Sequence, residues 1–525
     1  MTARAPARLT LHNVRVLDQP HAIDVAIEGG RVAATAAAGA LPQAERSLDA
    51  DGRWLLPGLV NAHDHLDLST LGPIATGTYR NGYEWAEALE HRQSDAAVQA
   101  ALAVPLADRL FLGGLRNLLA GVTAVAHHGP FHRSLAADGF PVRALERYQF
   151  AYSPGLTPAL RHTYRTTDRR IPWLVHVAEG TDARAGGELD VLVRENVLRQ
   201  NTVIIHGIAL PAETLPTVAQ ARAALVWCPE ANRRLYGATA DVAAMKAAGA
   251  MIGLGSDWSP SGSKNLLGEL KVARLVSANT AGGPIFTDRE IVAMATSTAA
   301  RMLGWEGAIG SIEAGKRADL IAVSGTSADP YSELIAATER DLVLVMIGGI
   351  AACGQPHLVE PFTSTGETVR IGGRTRLLNF ALAGDDPDVA LVGLARARAT
   401  LADALQNLVE LARALEPAVV AAVPGLVAAE PRPEGPTLVL DEIEHTAHAL
   451  RMHPAGGVSV LPSTQLLAAQ PPLSSVLGPL ILDGLTADDD RTFMETLQGE
   501  ANLPDYLAPG LATAYARTSG AARSG

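Results

Sequence analysis

The chain has 525 residues, 48% of them hydrophobic and 19% charged, so it can bury a sizeable core and is not disordered as a whole. At roughly 100–200 residues per domain, its length calls for about three units or one large barrel with attachments. Lys+Arg number 43 and Asp+Glu 55, a formal charge of −12, which argues against a nucleic-acid coat or an anionic membrane surface as the main partner.

The opening segment MTARAPARLTLHNVRVLDQP lacks the apolar stretch of a signal peptide, and no run of 18 apolar residues occurs. Cys228 and Cys353 alone cannot form a disulfide framework. A reducing, cytoplasmic setting is therefore expected. Residues 9–36 alternate apolar and polar around Glu28-Gly29-Gly30, which predicts an antiparallel hairpin in a small β unit. From Pro57 onward, short apolar runs near 59–63, 122–127, 147–152, 173–178, 202–207, 224–228 and 251–256 alternate with helical stretches such as 86–120, 184–199 and 241–248. This is the pattern of repeated β–α units around a parallel sheet. Seven strands can be placed, and an eighth is expected between 128 and 172. β patterns return in ADLIAVSG (318–325) and DLVLVMIGGIAACG (341–354), so the two flanks are expected to form one discontinuous β domain. A long helical pattern over 388–415 and a Pro-rich linker over 427–436 predict a mainly helical extension at 376–525.

Polar residues fall where apolar strands end: His63, Asp64 and His65; His176 and Glu179; His206; Asp257. In a βα barrel those ends share one face, and the active site sits there. Within a strand, His63 and His65 lie two apart and point to the same side. With His176 and Asp257 they make a mixed nitrogen and oxygen set that suits Zn²⁺ or a similar first-row ion with one position left for water. Such an ion lowers the pKa of the water and polarises the substrate. Glu179, three residues past His176, is placed to move a proton. Each residue alone has an ordinary explanation: His206 as a core histidine, Asp257 as a helix cap. Their joint occurrence at four strand ends is what points to chemistry.

The segments PGLVNAHDHL (57–66), GVTAVAHH (121–128), VHVAEG (175–180), IIHG (204–207), VWCPEANRRL (226–235), GLGSDWSPSGSKNLLGEL (253–270) and GSIEAGKRADLIAV (310–323) together resemble the amidohydrolase superfamily over roughly residues 9–355. The nearest branch contains triazine hydrolases and guanine- and adenosine-type deaminases. The resemblance implies a distorted (β/α)8 TIM-like barrel at 57–305. It also implies a small β-sandwich built from 1–56 and 306–375. It carries over His63, His65, His176 and Asp257 as metal ligands, with Glu179, His206 and Asp257 as catalytic groups. Asn232 falls where the family lines its pocket. His127, His128 and Trp258 are further candidates for substrate contact, the two histidines equally for structural hydrogen bonds; Tyr79, Arg80 and Trp85 suit either a lid or an ordinary amphipathic connection.

Binuclear members of the superfamily bridge their metals with a carboxylated lysine. The only lysines here are Lys246, Lys264, Lys271 and Lys316, none of them between His65 and His176, so one divalent ion is expected: zinc, with Fe²⁺ as the alternative. The expected activity is hydrolysis of a non-peptide carbon–nitrogen bond in a small molecule, by deamination or amide hydrolysis. Two alternatives stand beside it: removal of another leaving group from a heterocycle, as in a chlorohydrolase, and a scaffold that kept the barrel without the chemistry. A homodimer is compatible with this reading. Within the tail, Glu444 and His448 lie four apart, a spacing open either to a second metal pair or to a solvated helix face.

Overall fold

The computed structural model describes residues 503–520 and residues 8–380, the latter apart from short stretches at 17–18, 20, 43, 70, 72–76, 93–97, 99–101, 103, 138, 259–260 and 326. The helical pattern 388–415, the linker 427–436 and the Glu444/His448 pair lie outside the described residues.

Five strands open the chain: β1 (Arg8–Val14), β2 (Ile23–Glu28), β3 (Arg31–Ala37), β4 (Arg46–Asp49) and β5 (Trp54–Pro57). The first four form one sheet in the order β3-β2-β1-β4. The β2–β3 hairpin closes where expected, with Glu28 opposite Arg31. Its two central residues, Gly29 and Gly30, have φ of 54° and 78°, as the tightest hairpin turns demand.

The middle of the chain supplies β6 (Leu59–Asp64), β7 (Val122–His127), β8 (Arg143–Ala144), β9 (Gln149–Ala151), β10 (Trp173–Val177), β11 (Thr202–His206), β12 (Ala224–Trp227) and β13 (Met251–Leu254). They make two sheets, β6-β7-β8 and β13-β12-β11-β10-β9, in which all neighbours run parallel. β8 is the strand that could not be placed between 128 and 172; two residues are too few to make a pattern. The strands are buried on both faces, as parallel sheets covered by helices must be. Leu174, Val203, Ile205, Ala224 and Val226 share one apolar cluster, while Trp173, Val175, Ile204, Leu225 and Trp227 pack into another with the surrounding helices. Period-two alternation thus sorts each strand between two cores.

The later strands are β14 (Leu320–Val323), β15 (Leu342–Ile347), β16 (Ile350–Gly354), β17 (Glu367–Ile371) and β18 (Arg374–Leu378). They form a six-stranded sheet with β5, in the order β17-β18-β16-β15-β14-β5. β5 pairs antiparallel with β14, from Pro57 opposite Leu320 to Trp54 opposite Val323, so residues of both flanks meet in one sheet. Leu9, Leu11, Val25 and Ile27 share an apolar cluster with Leu320, Val343 and Met346. β18 runs across the boundary expected at 375/376, so the strand pattern continues past it.

The helix Leu507–Gly520 buries Leu507, Leu511 and Tyr515 in the same cluster as the helix Leu266–Ala278. Each such leucine contributes about 2 kcal/mol through removal from water. Among the described residues, no helix is long and apolar enough to cross a membrane.

Candidate active site

The C-terminal ends of the parallel strands bring His63, His65, His128, His176, His206 and Asp257 together. His63 Nε2 lies 3.3 Å from Asp257 Oδ1 and 3.4 Å from His176 Nε2. His65 Nε2 is 3.7 Å from the same carboxylate oxygen. The His128 ring stacks on His176 at 4.5 Å and meets His63 edge-on at 5.1 Å. One ligand atom from each of His63, His128 and His176 falls within 4.8 Å of the others, and so does one from each of His63, His206 and Asp257.

Local backbone irregularities produce this convergence. The β6–β7 register shifts between Asn61 and Asp64, interrupting the alternation. Asp64 is bound on the helix Leu106–Leu119, where Arg116 donates to its Oδ1 at 2.8 Å and Asn117 to its Oδ2 at 2.8 Å. His63 and His65, on either side of it, join the cluster. Ala178, His206 and Asp257 have φ of 56°, 72° and 56°, in the left-handed region that non-glycine residues seldom adopt. Each such residue costs about 1–3 kcal/mol, and such strain concentrates at functional sites. His176 and Glu179 are three apart and would face opposite sides of a continuing strand; the left-handed Ala178 turns Glu179 back toward the imidazoles. His206 would otherwise follow Ile204 to the helix side, and its own φ turns it inward.

Burial, reinforced by neighbouring imidazoles, holds His63, His128 and His176 well below the ordinary histidine pKa, so all three stay neutral and keep a lone pair. Buried His63 Nδ1 and His176 Nδ1 have no hydrogen-bond partner among the described residues. Neutral imidazoles and a carboxylate oxygen crowding one small volume fit a divalent cation of the zinc type.

Beside this cluster lies a hydrogen-bonded group. The Tyr236 hydroxyl donates to Glu179 Oε1 at 2.6 Å, and His206 Nε2 stands 3.7 Å from the same oxygen. His206 Nδ1 meets Asn232 Oδ1 at 2.9 Å, while Asn232 Nδ2 donates to Thr239 at 3.3 Å. With Asn232 Oδ1 as acceptor, His206 donates from Nδ1, and its Nε2 faces Glu179. The backbone of Glu179 accepts from Gly82 N at 2.8 Å. A Cβ on Gly82 would stand 2.9 Å from Glu179 Oε2, so a side chain there on the helix Gly82–Arg92 would push that carboxylate aside.

Trp258 lies 5.4 Å from His65, Trp85 lies 5.9 Å from Trp258, and Tyr79 packs on Trp85 at 5.0 Å. Two of the three suggested lid residues, Tyr79 and Trp85, are thus linked to the site through Trp258. The third, Arg80, has a side chain 76% exposed and paired with Glu84. His127 also stands apart from the cluster: its Nδ1 accepts from Leu66 N at 3.3 Å, and its Nε2 lies 3.9 Å from Asp67. None of His63, His65, His128, His176, Glu179, His206, Asn232, Asp257 and Trp258 is more than 9% exposed. Sequence reasoning missed Tyr236, although it lies four residues after Asn232 on the helix Pro229–Tyr236, where i and i+4 share a face. It also missed Arg116, which no local pattern links to Asp64.

Residues 153–351 match the Amidohydrolase family. The chain is 26% identical over 362 residues to a 5-methylthioadenosine/S-adenosylhomocysteine deaminase of Moorella thermoacetica, covering 57% of this chain and 80% of that protein. It is 26% identical over 395 residues to an 8-oxoguanine deaminase of Pseudomonas aeruginosa, covering 62% and 88%. In fold it is similar to the crystal structure of an adenosine deaminase from Xanthomonas campestris with bound zinc: TM-score 0.55, 19% identity, 78% of this chain and 99% of that one.

Proposed function

Because residues 153–351 match the Amidohydrolase family, we propose that the chain is a metal-dependent deaminase acting on an amino-substituted heterocycle. Hydrolysis of a non-peptide carbon–nitrogen bond in a small molecule follows from the family match and the deaminase relatives. On this reading the eight parallel strands close into a distorted (β/α)8 barrel, with the flanking sheets as a β-sandwich and the C-terminal region as an appendage. His63, His65, His176 and Asp257 hold one divalent ion, zinc being the best match to the donor set. His63 is common to both clusters of ligand atoms, which favours a single ion over two separate ones.

The observation that carries the reading is the position of Glu179, touching the histidine cluster through His206 while Tyr236 holds its carboxylate from the other side. The bound ion supplies a Lewis acid that makes water a nucleophile near neutral pH. Glu179 takes a proton from the attacking water and delivers it to the departing amino nitrogen, so that the carbon–nitrogen bond breaks and ammonia leaves. His206, its Nδ1 proton engaged by Asn232, offers Nε2 to orient that water, and Asp257 accepts its second hydrogen bond. Asn232 and Trp258 border the substrate, with His128 on the opposite wall. Tyr79 and Trp85 are part of a cover that must move for substrate to enter.

Ammonia release from a panel of aminopurines, aminopyrimidines and amides tests the reaction. Glu179→Gln should keep the metal and lose turnover by about 10²-fold or more. Near-parental turnover with metal retained refutes the proton-transfer role, and two ions per fully loaded chain by elemental analysis refutes the single site.

A further inference from the structure

Glu188 opens the helix Glu188–Arg194 and is only 4% exposed, yet it lies outside the histidine cluster and forms no ion pair among the described residues. Both of its carboxylate oxygens are engaged. Oε2 accepts from Ala178 N at 2.7 Å, and Oε1 accepts from the Tyr83 hydroxyl at 2.5 Å. Ala178 is the left-handed residue that turns Glu179 into the site. Tyr83 belongs to the covering helix Gly82–Arg92; its hydroxyl also accepts from Gly155 N at 3.1 Å, and the Arg184 guanidinium lies 3.4 Å from its ring centroid. A second tie runs alongside: Gly82 N donates to Glu179 O and Thr181 N to Arg80 O, each at 2.8 Å, with Asn81 bridged to Gly180.

We infer that Glu188 is a positioning residue for the proton carrier: its carboxyl holds the strained Ala178 turn and ties that turn to the cover through Tyr83. This rests on the proposed role of Glu179. Without Glu188, the Ala178 amide would be left buried without its partner, which costs more than the bond itself gains. The turn would relax toward extended backbone, carrying Glu179 away from His206. The groups facing Glu188 are Tyr83, Glu179 and Arg184, and burial followed by the Glu179 charge pushes its carboxyl up to about 7. Ionised or protonated, an oxygen remains to accept from Ala178, so the strut works in either state.

The test compares Glu188→Ala with Glu188→Gln, whose amide oxygen can still accept from Ala178. On the aminopurine that releases ammonia fastest, Glu188→Ala should keep its metal and lose kcat by about 10-fold with KM within about 3-fold, and Glu188→Gln should restore kcat to within about 3-fold. Adding Glu188→Ala to Glu179→Gln should cost no further turnover, because both act through one group. Independently of substrate, amide hydrogen exchange over residues 173–187 and 80–85 should rise at least 10-fold in Glu188→Ala and not in Glu188→Gln. If Glu188→Ala does not fold, Glu188→Asp carries the same test, with its carboxylate drawn back by one methylene. The inference is overturned by unchanged kcat and exchange in the Ala or Asp variant, by a Gln variant as impaired as the Ala one, or by a loss confined to KM. Silent Glu188 variants beside an inactive Glu179→Gln overturn only this inference, whereas an active Glu179→Gln overturns the function it rests on.

Discussion

The wall of the site formed by His63 and His176 and the wall formed by Glu179 treat their polar atoms in opposite ways. The histidines are neutral, crowded and short of hydrogen-bond partners, with His63 Nδ1 and His176 Nδ1 unmatched among the described residues. Glu179 instead sits among donors: Tyr236 on its carboxylate, Gly82 on its backbone carbonyl, His206 close by. A surface of spare lone pairs binds a cation, and a surface of directed donors and acceptors places a proton. The first wall rides on strand ends within the core. The second is tied to the helix Gly82–Arg92. Binding should therefore survive damage to the second wall, while turnover should not.

The largest effect should come from the first wall. His63→Ala and Asp257→Ala should lose the bound ion and drop turnover to background, checked by elemental analysis and ammonia release on the same samples. Retention of a full complement of metal in either variant would erase the distinction between the walls. A smaller effect is expected at Tyr236, where burial and the neighbouring Glu179 carboxylate push the hydroxyl well above its ordinary pKa and keep it a donor. Tyr236→Phe should lower kcat by about 10-fold, the worth of a hydrogen bond to a charged group, and leave metal content unchanged. A variant that loses metal instead would place Tyr236 with the first wall.

The remaining effect is one of stability rather than turnover, at the base of the second wall. The Glu188 carboxyl is raised from 4.5 to about 7, chiefly by burial. The native state then binds this proton more tightly than the unfolded chain does. Its stabilising contribution is complete below about pH 4.5 and is lost as pH rises to about 7, amounting to about 3 kcal/mol. Glu188→Gln cannot titrate, so the difference in unfolding free energy between parent and variant should shift by that amount, in the variant's favour, between pH 4.5 and 7. Denaturant unfolding at those two pH values measures it, and a difference independent of pH would show that Glu188 carries no such proton in the folded state.

The alternation of short apolar runs with helical stretches, together with His63, His65, His176, Glu179, His206 and Asp257 at the ends of those runs, was legible in the sequence. Apolar periodicity and residue type are local properties, and burial of both faces of a parallel strand leaves a continuous apolar run. The two-residue strand Arg143–Ala144 was not legible, because a strand so short has no period. Nor was the direction of Glu179 and His206. Alternation alone would send both to the helix side of their strands, away from His176, and left-handed backbone at Ala178 and at His206 itself reverses this. Non-glycine residues adopt that conformation only where surrounding contacts compensate the strain. At Ala178 the compensating contact is Glu188, ten residues on, linked to Tyr83 across 105 residues of chain. Asp64 and Arg116 are joined in the same way across 52 residues. The sequence by itself determined which chemical groups lie at the strand ends; the tertiary structure decided which way they face, because the contacts that hold a strained turn come from elements far away along the chain.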